Sequence, residues 1–103
     1  MKSNIPIPEE RIVDYCRRWR ITELALFGSV LREDFRPDSD VDVLIRFHDN
    51  ARHTLFDMVR MQEELRQVFG RRVDLVSRRG IEHSRNYLRK REILASAEVI
   101  YAA

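Results

Sequence analysis

Leu24-Ala25-Leu26-Phe27-Gly28-Ser29, ten intervening residues, and then Asp40-Val41-Asp42-Val43-Leu44-Ile45-Arg46-Phe47 decide the reading of this chain. The first stretch is apolar without a break until a glycine stops it, which predicts a short buried strand, Leu24–Phe27, ending in a turn. The second stretch alternates. Val41, Val43, Ile45 and Phe47 fall on one face and Asp40, Asp42, Leu44 and Arg46 on the other, the pattern of a half-buried strand with two acids on its more exposed side. Between the two strands, Ser29 to about Asp34 reads as a short helix or turn, and Phe35-Arg36-Pro37-Asp38-Ser39 as a loop held by its proline.

Upstream of this pair, Pro8 stands at a first helical position with Glu9 and Glu10 behind it. Ile12, Val13, Cys16 and Trp19 then recur at helical spacing to about Arg20. Downstream, Thr54 with Asp57 three residues on marks a helix start, with Leu55, Met58, Val59, Leu65 and Phe69 as its apolar stripe and Gly70 as its C-cap. Val73–Val76 predicts a third strand, interrupted only by Asp74. Beyond Gly80, residues 81 to about 96 read as one polar helix with Tyr87, Leu88 and Leu94 turned inward, and Val99-Ile100-Tyr101 as a closing strand or a last helical turn. Short strands alternating with helices place the chain in the α/β (α+β) class, a sheet covered by helices. At 103 residues the expectation is one domain spanning 1–103.

Composition excludes some functions. With 19 basic and 17 acidic residues the formal charge is only +2, so a strong field for nucleic acid or membrane is not indicated. Arg71, Arg72, Arg78, Arg79, Arg85, Arg89, Lys90 and Arg91 make the C-terminal third basic, which suits a solvated face or docking of an acidic partner. Few aromatic residues interleave with them, which argues against direct RNA binding. Cys16 is the only cysteine, so no intrachain disulfide can form, and its place on the Ile12 stripe suits a core thiol. No apolar run approaches the ~20 residues of a membrane span and the first residues lack the apolar stretch of a signal peptide, so the expected location is the cytoplasm. His48, His53 and His83 are too scattered for a metal site and read as loop or surface residues, and Trp19 reads as packing.

Two aspartates at i and i+2 of a strand point to one side, with Cα atoms about 6 to 7 Å apart, and can serve one pair of metal ions. Two-metal phosphoryl chemistry needs such hard oxygen ligands. Asp74, on a strand that reads as buried, is a candidate third carboxylate, either as a ligand or as the base for the attacking hydroxyl. Gly28-Ser29, where a strand turns toward a short helix, offers backbone N–H groups and a hydroxyl to phosphate oxygens.

Gly28-Ser29 followed after ten residues by Asp40-Val41-Asp42 resembles the signature of the DNA polymerase β nucleotidyltransferase superfamily. Leu26-Phe27-Gly28-Ser29, the run Arg36 to Leu44, and Val73-Asp74-Leu75-Val76 are similar to its minimal nucleotidyltransferase (MNT) branch. The resemblance covers about Leu24 to the C-terminus. It implies a small mixed sheet flanked by helices, ATP as substrate and two Mg²⁺ ions. Asp40, Asp42 and Asp74 would be the catalytic and metal-binding carboxylates, and Gly28, Ser29 and Arg32 would hold the triphosphate. It further implies transfer of AMP to a tyrosine of a HEPN-domain toxin, with this chain as the antitoxin in a hetero-oligomer. One departure stands out. Many relatives have Arg-Gly shortly after Gly-Ser, whereas Arg32-Glu33 here places a carboxylate near the triphosphate. That leaves a second expectation, a non-catalytic antitoxin that neutralises its partner by contact alone.

Overall fold

The computed structural model describes residues 5–33, 35–36 and 38–103. Helix α1 (Glu9–Arg18) leads into strand β1 (Ile21–Phe27), and a 3-10 turn, Gly28–Leu31, follows. Strand β2 (Val41–Phe47), helix α2 (Leu55–Phe69) and strand β3 (Val73–Ser77) come next, then α3 (Arg78–Glu82), α4 (Tyr87–Ser96) and β4 (Glu98–Ala102). The strands form one mixed sheet in the order β3-β2-β1-β4. β1 runs antiparallel to β2 and to β4, and β2 runs parallel to β3, with α2 as the crossover that a parallel pair needs. The α/β (α+β) sheet expected from sequence is therefore present, with helices on both faces.

Alternation along the two central strands divides the core. Leu24 and Leu26 of β1 join Val41, Val43 and Ile45 of β2 under Ile12, Tyr15 and Cys16 of α1 and Met61 and Leu65 of α2. The Tyr15 hydroxyl donates to the Met61 carbonyl at 3.1 Å, which ties the two helices together over this face. Ala25, Phe27 and Leu44 point the other way and pack with Ile81 of α3 and Ile93 of α4. The acid-bearing face of β2 is thus not simply solvated, as alternation alone suggests. Its middle, at Leu44, is covered by a second, smaller core, while Asp42 on one side is half-buried and Arg46 on the other is exposed.

Several sequence expectations are corrected by this packing. β1 begins at Ile21 rather than Leu24, because Ile21 pairs with Phe47 across a register shift. α1 stops at Arg18, and Arg20 takes a left-handed backbone (φ 56°) to turn the chain into the sheet. The capping box of Thr54 with Asp57 and the left-handed Gly70 C-cap (φ 70°) bound α2 as its sequence indicates. Leu65 is buried as expected and Met61 joins it, while Leu55 and Val59 are exposed. The single C-terminal helix is two helices, capped separately by Ser77 and Asn86. Tyr87 and Leu88 are exposed rather than inward, and Ile81 and Ile93 carry the packing. The closing segment is a strand. His53 is half-buried, not a free surface residue: its Nε2 lies 2.8 Å from the Trp19 carbonyl and its ring 4.5 Å from that of Phe47. Cys16 is buried as expected, and burial pushes its thiol up to about 12. Among the described residues no helix is long and apolar enough to cross a membrane. Asp34 and Pro37, expected in the turn and loop after Ser29, lie outside the described residues.

The two readings of the α2 stripe separate in urea unfolding. Leu65→Ala should cost about 2–5 kcal/mol, as a fully buried leucine does, and Leu55→Ala should stay within about 0.5 kcal/mol of the wild type.

Candidate active site

The site forms where β1 ends and β2 begins, because their antiparallel register places Phe27 opposite Asp42. Gly28 follows with φ 74°, a conformation that L side chains rarely adopt. It is required for a second reason. A Cβ at this position would stand 2.4 Å from Oδ2 of Asp42, so the turn backbone lies directly against the carboxylate. Val30 is buried and anchors the turn, and the Arg32 N–H donates to the Ser29 carbonyl at 3.0 Å to close it. The Ser29 hydroxyl donates to the Asp40 carbonyl at 3.3 Å, joining the turn to the residue that leads into β2.

Asp42 and Asp74 are register partners on the parallel strands β2 and β3, and both project on the α3/α4 side, since their neighbours Val41, Val43, Val73 and Leu75 face the other core. Asp74 is exposed, contrary to the expectation of a buried strand, and β3 is an edge strand of the sheet. Asp42 is half-buried, and desolvation, followed by the negative charges of Asp74 and Asp40, raises its pKa. Arg89 and then Arg32 pull it back down. The centre is therefore a set of carboxylates whose mutual repulsion nearby guanidinium groups only partly offset.

Asp40 precedes β2 and turns its Oδ1 to Nε of Arg72 at 3.2 Å. In that orientation no three His, Cys, Asp or Glu side chains among the described residues converge on one ion. The bridge is a weak restraint, since the side chains are 50% and 73% exposed, and such pairs contribute about 0–1 kcal/mol. A divalent cation competing for Asp40 would have little to displace. Oxygen-only donors and a carboxylate destabilised by its neighbours suit a hard divalent ion. Glu33 is exposed in the turn.

Sequence spacing brings out Gly28, Ser29, Arg32, Asp40, Asp42 and Asp74, and the structure gathers all six around one end of the sheet. It misses Arg72 and Arg89, which sequence shows only as members of a basic region. Arg72 directly precedes the Val73-Asp74 pair, but its bridge to Asp40 depends on the pairing of β2 with β3. Arg89 comes from another helix, and no spacing rule links it to Asp42.

The nucleotidyltransferase domain family matches this chain over residues 9–100. The chain belongs to that family. The match starts at α1 and so extends upstream of the Leu24 boundary that the motifs alone support. Its nucleotidyltransferase fold resembles the structure of a candidate minimal nucleotidyltransferase, with a TM-score of 0.66 and 34% identity over 87% of this chain and 86% of that one. A candidate protein adenylyltransferase of Methanocaldococcus jannaschii is 30% identical over 72% of this chain and 77% of its own length. The protein adenylyltransferase MntA of Thermococcus cleftensis is 34% identical over 63% of this chain and 64% of its own length. A toxin-antitoxin complex crystallised with AMP-PNP contains a chain of the same fold, at TM-score 0.70 and 17% identity over 93% of this chain. This nucleotidyltransferase is thereby placed in the minimal branch.

The electrostatics have a measurable consequence. The folded-state pKa of Asp42 lies above its unfolded value, so its ionised form weakens the fold at pH values above that pKa, and the penalty fades as pH falls through it. In metal-free buffer Asp42→Asn should therefore raise stability at neutral pH, by no more than about 1 kcal/mol because solvent still reaches the group. The gain should disappear in acid. A loss of stability at neutral pH would show that the carboxylate is satisfied as it stands.

Proposed function

We propose that this chain transfers AMP from ATP to a tyrosine hydroxyl of a HEPN-domain partner, and that by doing so it acts as the antitoxin of a toxin-antitoxin pair. The observation that carries this reading is the apposition of the Gly28 turn to Asp42, with Asp74 alongside in register. The relatives point the same way. A curated relative is named a protein adenylyltransferase, and a chain of the same fold is the MNT antitoxin in complex with a tri-AMPylated HEPN toxin of Shewanella oneidensis, at 16% identity and TM-score 0.61.

In this proposal the backbone of Gly28 and Ser29 and the Arg32 guanidinium hold the triphosphate, and Asp40, Asp42 and Asp74 hold two Mg²⁺. Such ions, when bound, stabilise the charge on the attacking and leaving oxygens. The phenolic oxygen of the acceptor bonds to the α-phosphorus, the bond from that phosphorus to the bridging oxygen breaks, and pyrophosphate leaves. Asp74, the exposed carboxylate on the edge strand, accepts the phenolic proton in this proposal. We take residues 1–103 as a single catalytic domain acting in the cytoplasm, with the acceptor bringing its own binding surface.

Incubation with labelled ATP, Mg²⁺ and the HEPN-like neighbour protein tests this. Label should appear on a partner tyrosine, Asp40→Asn/Asp42→Asn should abolish it while still binding the partner, and Asp74→Asn should slow it by about 10²–10⁴-fold. Equal labelling by the double variant would reject catalysis at this site, and protection of cells by the double variant would favour neutralisation by contact.

A further inference from the structure

β2 and β3 are the parallel pair of the sheet, and Asp42 and Asp74 stand near their amino ends. The proposed catalytic centre therefore leaves the carboxyl ends of both strands unused. In open α/β sheets the crevice outside the carboxyl ends of the strands is where ligands commonly bind. Here that crevice is a cleft of about 260 Å³. One wall is Arg46 and Phe47, at the end of β2, with Arg52 in the connection that follows. The other is Ser77, Arg78 and Arg79, where β3 passes into α3. The Ser77 hydroxyl accepts from the Gly80 N–H at 3.0 Å, which fixes the turn that carries the last two arginines.

Asp49 and Glu82 are the carboxylates that line this cleft, against four arginines. Arg78 takes Glu82, with Nε 3.0 Å from its Oε1, and also lies 3.6 Å from Glu23, the register partner of Arg46 on β1. Both carboxylates are thereby committed to one guanidinium. Arg46, Arg52 and Arg79 form no ion pair or side-chain hydrogen bond among the described residues, and all three are exposed. A cleft lined by one sign of charge focuses its field and draws in counter-ions.

We propose that this cleft is a second anion site, which takes the diphosphate group of a small molecule between Arg46, Arg52 and Arg79. A guanidinium presents two parallel N–H groups and is matched by two oxygens at once. Three such forks exceed what one carboxylate can occupy and suit the terminal oxygens of a diphosphate. No group of His, Cys, Asp and Glu side chains able to hold a metal ion is present among the described residues. The ligand therefore binds here as the free anion, in contrast to the metal-dependent nucleotide of the proposed catalytic centre, and the inference stands whether or not that centre transfers AMP.

The test is amide NMR of the isotope-labelled chain in EDTA, titrated with sodium pyrophosphate, with ADP, and with sodium chloride at equal ionic strength. Saturable shifts are expected with pyrophosphate at Phe47, His48, Ser77 and Arg79 before any at Gly28 and Ser29. Equal affinity for ADP places recognition in the diphosphate, and tighter binding of ADP places a nucleoside in the cleft as well; both support the site. Arg46→Gln/Arg79→Gln should weaken pyrophosphate binding by about tenfold or more, as loss of hydrogen bonds to a charged group does. Thermal unfolding should be nearly unchanged, since both side chains are exposed. Arg11→Gln/Arg17→Gln, which removes two exposed arginines of α1 instead, should leave binding within twofold of the wild type. Shifts confined to the Gly28 turn, the same shifts with sodium chloride, or affinity within twofold of the wild type in Arg46→Gln/Arg79→Gln would overturn the proposal. An equal loss in the α1 variant would reduce the effect to net charge and overturn it too.

Discussion

The close approach of the Gly28 backbone to the Asp42 carboxylate is the constraint on which the rest of the site depends. Any side chain at position 28 would occupy the space of Oδ2 of Asp42, and it would also have to adopt a left-handed φ. The antiparallel pairing of β1 and β2 brings the two residues together, since Phe27 opposite Asp42 leaves the next residue nowhere else to turn. The Ser29 hydroxyl bond to the Asp40 carbonyl then holds the start of β2 against the same turn. Parallel pairing of β2 with β3 adds Asp74 at the register of Asp42. Two strand pairings of opposite sense therefore build one centre from three separated segments.

This arrangement works against stability. Three carboxylates share one end of the sheet, and one of them is partly withdrawn from water. A structure selected only for stability would have neutral groups there, and destabilising clusters of this kind are characteristic of functional sites. The protein limits the penalty with arginines at different distances. Arg72 bridges Asp40 directly, while Arg32 and Arg89 act on Asp42 through space. Meanwhile Arg71 stacks on Phe35, 4.8 Å from the ring centroid, and donates to the Arg36 carbonyl at 3.4 Å, so the loop before Asp40 is held by a residue just ahead of β3.

The sheet and the turn were legible in sequence because they depend on local rules. Alternation from Val41 to Phe47, the stop at Gly28 and the Thr54–Asp57 capping box each need only a few neighbouring residues. What sequence could not show depended on tertiary contacts. Leu55, Val59, Tyr87 and Leu88 are apolar, but each lies in the first turn or two of its helix and is exposed. Asp74 looks buried from its apolar neighbours and is exposed, because edge position is a property of strand order rather than of the strand. Arg89 was hidden for the same reason, since its approach to Asp42 depends on how α4 is rotated by Ile93. The motif residues themselves were readable because their spacing encodes a turn between two paired strands.

The proposed activity requires a single metal-nucleotide centre at the end of the sheet where Gly28, Asp42 and Asp74 meet. Paramagnetic broadening of backbone amide signals by substoichiometric Mn²⁺ in the presence of a non-hydrolysable ATP analogue tests it most directly. With such a centre, the signals of Gly28, Ser29, Asp42 and Asp74 broaden first and together. Broadening centred instead at the far end of β2, around His48 and Asp49, or spread evenly over the acidic surface, would contradict it.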